Sequence, residues 1–389
     1  MKLRCLCLGS ALVVAGLAQT ESAITREGRY WVQTVSGSAP LQGTELLRVS
    51  TRGAVALQGE DRADIAYSLK KRVRASTQES AREALSRCAV KTSRQGGWTA
   101  LVVSFPNHQQ ELSADLRLSV PRKLRDAEVE SEGGALEVRD LDGALKADTG
   151  GGGVLIDRIG GDLTVRTGGG EVRLGKIGRT VRCSSGGGSI VADSVGGEAG
   201  LNTGGGEIRI REALGPVRAN TGGGNIQVDR AAGPVTASTG GGQIDVGQSD
   251  GPVAAETGAG SIKVRAAKGV RCESGAGAIQ LLGVYGRLRA ATGMGSILAE
   301  LVAGKPLEDS VLSTASGDIT VFIPSNLAVT IQALTDSRGF QKIISDFPEI
   351  RPGTESHGAR AEAQGSLNGG GPLLKLTVSN GTIYLRRQK

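Results

Sequence analysis

Residues 202–246 read NTGGGEIRIREALGPVRANTGGGNIQVDRAAGPVTASTGGGQIDV, and the triplet TGGG returns in them every eighteen residues. The Thr or Ser that opens it stands at Thr149, Thr167, Ser185, Thr203, Thr221, Thr239 and Thr257, then at Ser274 after a spacing of seventeen, then at Thr292. Weaker copies open at Ser131 and Thr314, which makes eleven turns of one unit. A fixed period of this length marks a repeat architecture, in which each unit buries its apolar face only against its neighbours.

Within each unit apolar residues alternate with polar ones. Val217 and Ala219 precede Thr221 by four and two residues, and Ile226 and Val228 follow it by five and seven; the other units place Val, Ile, Leu, Ala or Cys at these phases. Period-two alternation rich in β-branched residues predicts half-buried strands. Each unit is then two short strands with a glycine corner between them and a return that ends in Gly215-Pro216, Gly233-Pro234 or Gly251-Pro252. An apolar position on the return (Leu141, Ile159, Ile177, Val195) suggests a short third side. Recurrence of one residue type at one phase is what stacking requires, so the fold class is all-β, a β-solenoid of about 18 residues per coil with coils ~4.8 Å apart. Tandem hairpins would not demand such columns. A narrow cross-section also explains why aromatic residues are only 3% of the chain. Stacked glycines turning one corner predict positive φ at one or more of Gly204–Gly206 and Gly222–Gly224. The Thr hydroxyl, in the inward phase, is expected to satisfy a turn N–H or C=O.

Four segments follow. Residues 1–23 have the anatomy of an export signal: Lys2 and Arg4, an apolar run from Cys5 to Ala18, then GLA at 16–18 and ESA at 21–23 as candidate cleavage sites. Residues 24–125 form a strand-rich capping region with one helix near 77–88, signalled by Ser76-Thr77-Gln78-Glu79 as a capping box before REALSRC. The solenoid proper is 126–325, and 326–389 is a C-terminal cap ending in two strands around an SNG turn. No later stretch approaches the ~18 apolar residues of a membrane helix. Removal of 1–23 leaves a formal charge of +6. Acids and bases are interspersed, without the basic block of a nucleic-acid binder.

Few residue sets invite chemistry. The triplets run into strands and lack a following GKS or GKT, unlike phosphate loops. The residue after the triplet varies among Gly153, Glu171, Ser189, Glu207, Asn225, Gln243 and Ser261, which is no calcium ladder. Ice binding needs outward Thr ranks, whereas this Thr points inward. His108 and His357 have no partner at metal-ligand or triad spacing. No catalytic residue, cofactor site or metal site is assigned. Cys183 and Cys272, five coils apart in one inward column and out of disulfide reach, are expected as buried free thiols, while Cys88, which ends the helix, has no obvious mate. One outward column, three residues before the Thr, carries Lys146, Arg182, Arg218, Arg271 and Arg289 with neutral residues between. It reads either as like charges kept apart or as a shallow basic strip for acidic glycans or envelope polymers.

The TGGGxIxV units, SGDITVFIPSN at 316–326, DFP at 346–348 and the ending GSLNGGGPLLKLTVSNGTIYL resemble the exported bacterial β-strand-repeat proteins grouped as putative adhesins of unknown function. The resemblance spans roughly residues 30–389 and implies a right-handed parallel β-helix outside the cytoplasmic membrane, whether periplasmic, cell-surface or secreted. It carries over no active site. The expected function is that of a non-enzymatic adhesive, envelope-associated or scaffold module whose partner is an envelope polymer, a glycan or a surface protein. A carbohydrate-binding or carbohydrate-active β-helix is the alternative, and end-to-end association through the coil ends is a third.

Overall fold

The computed structural model describes residues 19–41, 45–105, 112–336, 343–352 and 361–388; His108 and His357 lie outside them. Two compact units divide the chain, Met1–Gly188 and Ser189–Lys389. Both are built from parallel coils in which each strand pairs with the strand one coil away, in register. In the first unit Val154 stands opposite Val172 and Leu163 opposite Val181. In the second, Ile208 stands opposite Ile226 and Val217 opposite Val235. These offsets of eighteen are the sequence period itself, so the β-solenoid is established by its ladders.

The inward columns fall where alternation places them. Val217, Ala219, Ile226 and Val228 are fully buried, as are their copies, and Leu141, Ile159, Ile177 and Val195 are buried on the third side. Burying such a column removes apolar surface at roughly 25 cal/mol per Å². Between second strand and third side, two consecutive residues face outward, for example Asp157 and Arg158, before Ile159 turns in. Arg158 has a φ of 55° and Asp140, one coil earlier, 60°. Ala266 and Gly283 occupy the same phase at 54° and 63°. Shortly after this phase the offset drops from eighteen at Ser249–Ala267 to seventeen at Val253–Val270, and one coil later it returns to eighteen between Lys268–Tyr285 and Val270–Leu288.

The glycine triplets differ from expectation. None of the glycines with positive φ lies in Gly204–Gly206 or Gly222–Gly224. Their requirement for glycine comes from stacking instead. A Cβ on Gly222 would lie 2.2 Å from the Gly204 carbonyl oxygen, and one on Gly224 would lie 2.1 Å from that of Gly206. The middle residue, Gly223, would meet nothing within 4 Å. Accordingly the middle position becomes Ala259, Ala276 and Met294 in later coils while its neighbours stay glycine.

The opening Thr staples coil to coil. Thr221 Oγ1 donates to the Gly206 carbonyl of the preceding coil at 2.8 Å and accepts the N–H of its own Gly224 at 3.2 Å. Thr239 repeats this with Gly224 and Gly242, and Ser274 with Gly260 and Gly277. A buried hydroxyl with both roles filled removes the desolvation cost of three polar groups at once.

At both ends the ladder continues into the flanks, but out of chain order. In the first unit Leu46–Thr51 pairs with Asp126–Ser131 on one edge and with Trp98–Ser104 on the other. Val55–Glu60 likewise lies between Leu136–Leu141 and Leu112–Pro121. The sheet then turns antiparallel through Asp64–Val73 and Tyr30–Pro40. In the second unit the final strand pair inserts into the ladder: Leu373–Asn380 lies between Ser310–Ser316 and Val329–Thr335, and Ile383–Arg387 lies between Ile319–Ile323 and Ile343–Ser345. A late segment thus sits inside an earlier one, which covers edges that a simple stack would expose.

The helix runs Gln78–Ser86, one position off the expected box: Thr77 is the N-cap and accepts the Ser80 N–H at 3.2 Å. Its C-terminal carbonyls receive the buried ammonium of Lys71, at 2.9 Å from Leu85 O and 3.1 Å from Cys88 O. A cation at the helix's negative end is favourable. Burial nevertheless lowers the Lys71 pKa, with Cys88 and Glu21 acting in the opposite direction.

Candidate binding faces

The core is closed, so contacts must be made by outward residues on the strands. The five residues of the basic column take three situations. Lys146 is enclosed by Glu128 at 2.5 Å and Asp148 at 3.2 Å. Arg218 pairs with Glu198, and Arg271 with Glu273 at 2.8 Å. Arg182 and Arg289 are exposed and carry no ion pair among the described residues. In the first unit Thr164 separates Lys146 from Arg182. In the second, Thr236 and Ala254 separate Arg218 from Arg271, while Arg271 and Arg289 are direct neighbours. The geometry therefore brings together one adjacent pair and otherwise leaves isolated, mostly neutralised charges.

Around Lys146 lies a compact cluster that alternation alone does not reveal. Glu128, Glu130 and Asp148 bring carboxylate oxygens within 4.8 Å of one another. Lys146 and Arg48, the latter 2.6 Å from Glu128, already supply the cations. Burial raises the Glu128 pKa, but hydrogen bonds from Lys146 and Arg48 outweigh it and the net shift is downward. A metal would have to displace an ammonium held at hydrogen-bond distance. The cluster is an internal ion-pair network.

A broader feature lies on the outer face of the first unit. Arg117, Ala56, Glu137, Leu155 and Arg173 form one outward row across five adjacent strands. The row beside it runs Asp115, Ala54, Ala135, Gly153 and Glu171. Three consecutive coils thus present mostly small side chains between walls of long charged ones. The result is a shallow trough with a hollow of about 470 Å³ over this floor. A second hollow of about 340 Å³ continues it toward Ala66, Tyr67 and Ser68, with Ala56, Arg117 and Glu137 common to both.

The trough's carboxylates are each tied to an arginine: Asp115 to Arg72 at 2.5 Å, Glu137 to Arg139 at 2.9 Å and Glu171 to Arg173 at 2.9 Å. Arg117, exposed on the wall, carries no ion pair among the described residues. This face lies outside the columns that flank the triplet; its signal in the sequence is Ala or Gly at outward phases, at Ala54, Ala56, Ala135 and Gly153.

Among the described residues, Cys88, Cys183 and Cys272 are buried free thiols. Burial pushes Cys88 up to about 11, although Lys71 opposes it, and Cys183 up to about 12. Cys272 is raised for the same reason. Such thiols are poor nucleophiles and poor ligands.

No protein-family model and no curated protein matches the chain. Among solved structures it is similar to a putative adhesin from Bacteroides fragilis, at 13% identity over 63% of this chain and 95% of that one, with a TM-score of 0.30. It is also similar to a putative cell adhesion protein from Clostridium sporogenes, at 8% identity over 96% of this chain and 100% of that one, with a TM-score of 0.18. A third, a putative lipid binding protein from Parabacteroides distasonis, gives 11% identity, coverage of 80% and 98%, and a TM-score of 0.25. The fold of this chain rests on its own hydrogen-bonded ladders.

Proposed function

We propose that the chain is an exported, non-enzymatic adhesive or scaffold module that holds an extended envelope polymer, a glycan above all, against the outer face of its first unit. The observation that carries this reading is the trough between Arg117 and Arg173. Its walls stand four strand spacings apart, roughly 19 Å, and its floor carries the small residues Ala54, Ala56, Ala135 and Gly153 beside Glu137 and Leu155. A flat floor with guanidinium and carboxylate walls suits a polar chain lying along the strands: hydroxyls meet the charged groups, and sugar faces meet the Ala and Leu155 surface. Arg117 adds a cation for any acidic substituent.

Pull-down of envelope fractions and purified glycans with the mature protein tests this. Wild type captures a polysaccharide; Ala56→Trp, which fills the floor, and Arg117→Glu, which reverses an exposed charge, lose it. Equal capture by all three would overturn the reading. New reducing ends in the captured polymer would replace it with a carbohydrate-active β-helix.

A further inference from the structure

The sequence offers two cleavage sites, after Ala18 and after Ala23, and the two leave different proteins. We infer that export processing cuts before Gln19, so that Gln19 is the first residue of the mature chain; this rests on the reading of residues 1–18 as an export signal.

Residues 19–22 are built into the first unit. Gln19–Glu21 forms a strand antiparallel to Tyr30–Pro40, with Gln19 opposite Gly37, Thr20 opposite Ser36 and Glu21 opposite Val35. Ser22 closes the pairing twice: its N–H donates to Thr34 O at 2.9 Å, and its Oγ accepts the Thr34 N–H at 3.0 Å. The side chains are engaged as well. Gln19 Nε2 donates to Tyr67 Oη at 2.7 Å, and Gln33 Nε2 donates to Glu21 Oε2 at 3.0 Å.

Glu21 has a further task. Lys71 is only 2% exposed, and Glu21 is the acidic side chain whose charge favours its ammonium. A cut after Ala23 would remove the strand, leave the edge of Tyr30–Pro40 bare over Val35–Gly37, and take that charge away from a buried cation. A cut before Gln19 keeps all of these. The recognition side agrees: small residues are wanted one and three before the cut, which Ala18 and Gly16 supply, whereas a cut after Ala23 would place Glu21 at the third position.

The step is hydrolysis by an envelope signal peptidase. Water adds across the Ala18–Gln19 amide; the carboxylate stays on Ala18 and the new amine on Gln19, whose side-chain Nε2 donates to Tyr67 Oη.

The test expresses the full chain in an exporting bacterium and determines the N-terminus of the exported protein by intact mass and N-terminal sequencing. The expected N-terminus is Gln19, either free or 17 Da lighter after loss of ammonia by cyclisation. An Ile24 terminus would overturn the inference and leave a cleaved signal standing; a Met1 terminus would overturn both the inference and the reading of the leader as a cleaved signal. In a paired experiment Ala18→Phe blocks processing while Ala23→Phe does not, and the reverse pattern would also overturn it.

Discussion

Alanine placed at each of the three glycines of one triplet separates stacking from backbone conformation as the reason for the motif. At Gly222 the new Cβ would sit 2.2 Å from Gly204 O, and at Gly224 it would sit 2.1 Å from Gly206 O and 2.4 Å from Gly206 C. Ordinary contact begins near ~3.4 Å, so the coils must part at that corner by an ångström or more, against a ladder repeat of ~4.8 Å. Parting also stretches the 2.8 Å bond from Thr221 to Gly206. Overpacking of this kind costs about 1–3 kcal/mol, and loss of a buried hydrogen bond adds about 1 kcal/mol. At Gly223 nothing lies within 4 Å and φ is not positive, so alanine there lowers only the entropy of the unfolded chain and is neutral or stabilising by up to about 1 kcal/mol. Urea unfolding followed by far-UV circular dichroism reads the difference. The expected order of midpoints is Gly223→Ala at or above wild type, with Gly222→Ala and Gly224→Ala well below. Equal loss at all three sites, or greatest loss at the middle one, would refute the stacking argument and restore a conformational one.

Other outcomes follow from the same geometry. Thr221→Val should lose about 1–3 kcal/mol because it strands a buried carbonyl and a buried N–H, whereas Thr221→Ser should match wild type within error in the same urea titration, as Ser185 and Ser274 do the job elsewhere. The thiols of Cys88, Cys183 and Cys272 should resist a thiol reagent at pH 8 in the folded protein and all react in urea; fast labelling of the native state would contradict their burial. The lowered Glu128 pKa gives an acid-side dependence. Its stabilisation is complete above the unfolded carboxylate value of about 4.3 and is lost as pH falls through the lower folded value. Glu128→Gln should therefore reduce stability at neutral pH and flatten its decline in acid, while a decline as steep as that of wild type would place the acid sensitivity elsewhere.

How much of this was legible in sequence depended on whether a contact follows the eighteen-residue period. Val217, Ile226 and Thr221 could be placed inward because each recurs at one phase, and stacking converts phase directly into burial. The role of the triplet was half legible. That glycine is required follows from the repeat, but its cause, a carbonyl of the preceding coil where Cβ would stand, appears only when coils are stacked; the tolerance at Ala259, Ala276 and Met294 was the available clue. The left-handed residues at Asp140 and Arg158 were invisible, because their position is filled by ordinary residues such as Lys176 and Arg230 in other coils.

The flanks were the least legible. There Asp126 pairs with Leu46 and Leu374 with Ser310, at separations that no period announces. The candidate face was missed for a related reason. Arg117 and Ala56 belong to this out-of-order region, so the row that joins them to Glu137 and Arg173 exists only after the chain has folded back. The basic column, by contrast, is legible in sequence together with Asp148 and Glu273 two positions on, which do pair with Lys146 and Arg271; Glu128 and Glu198, which pair with Lys146 and Arg218 across the coils, lie outside that spacing.

The central claim is that contact is made by the strand faces and that the glycine corner is only a turn. The most direct measurement compares capture of envelope polymer by two mature variants, Gly169→Lys at a middle corner position, where a Cβ meets nothing within 4 Å, and Arg117→Glu on the trough wall. Capture equal to wild type by Gly169→Lys and lost by Arg117→Glu is the predicted result. Loss with the corner variant and retention with the wall variant would contradict it.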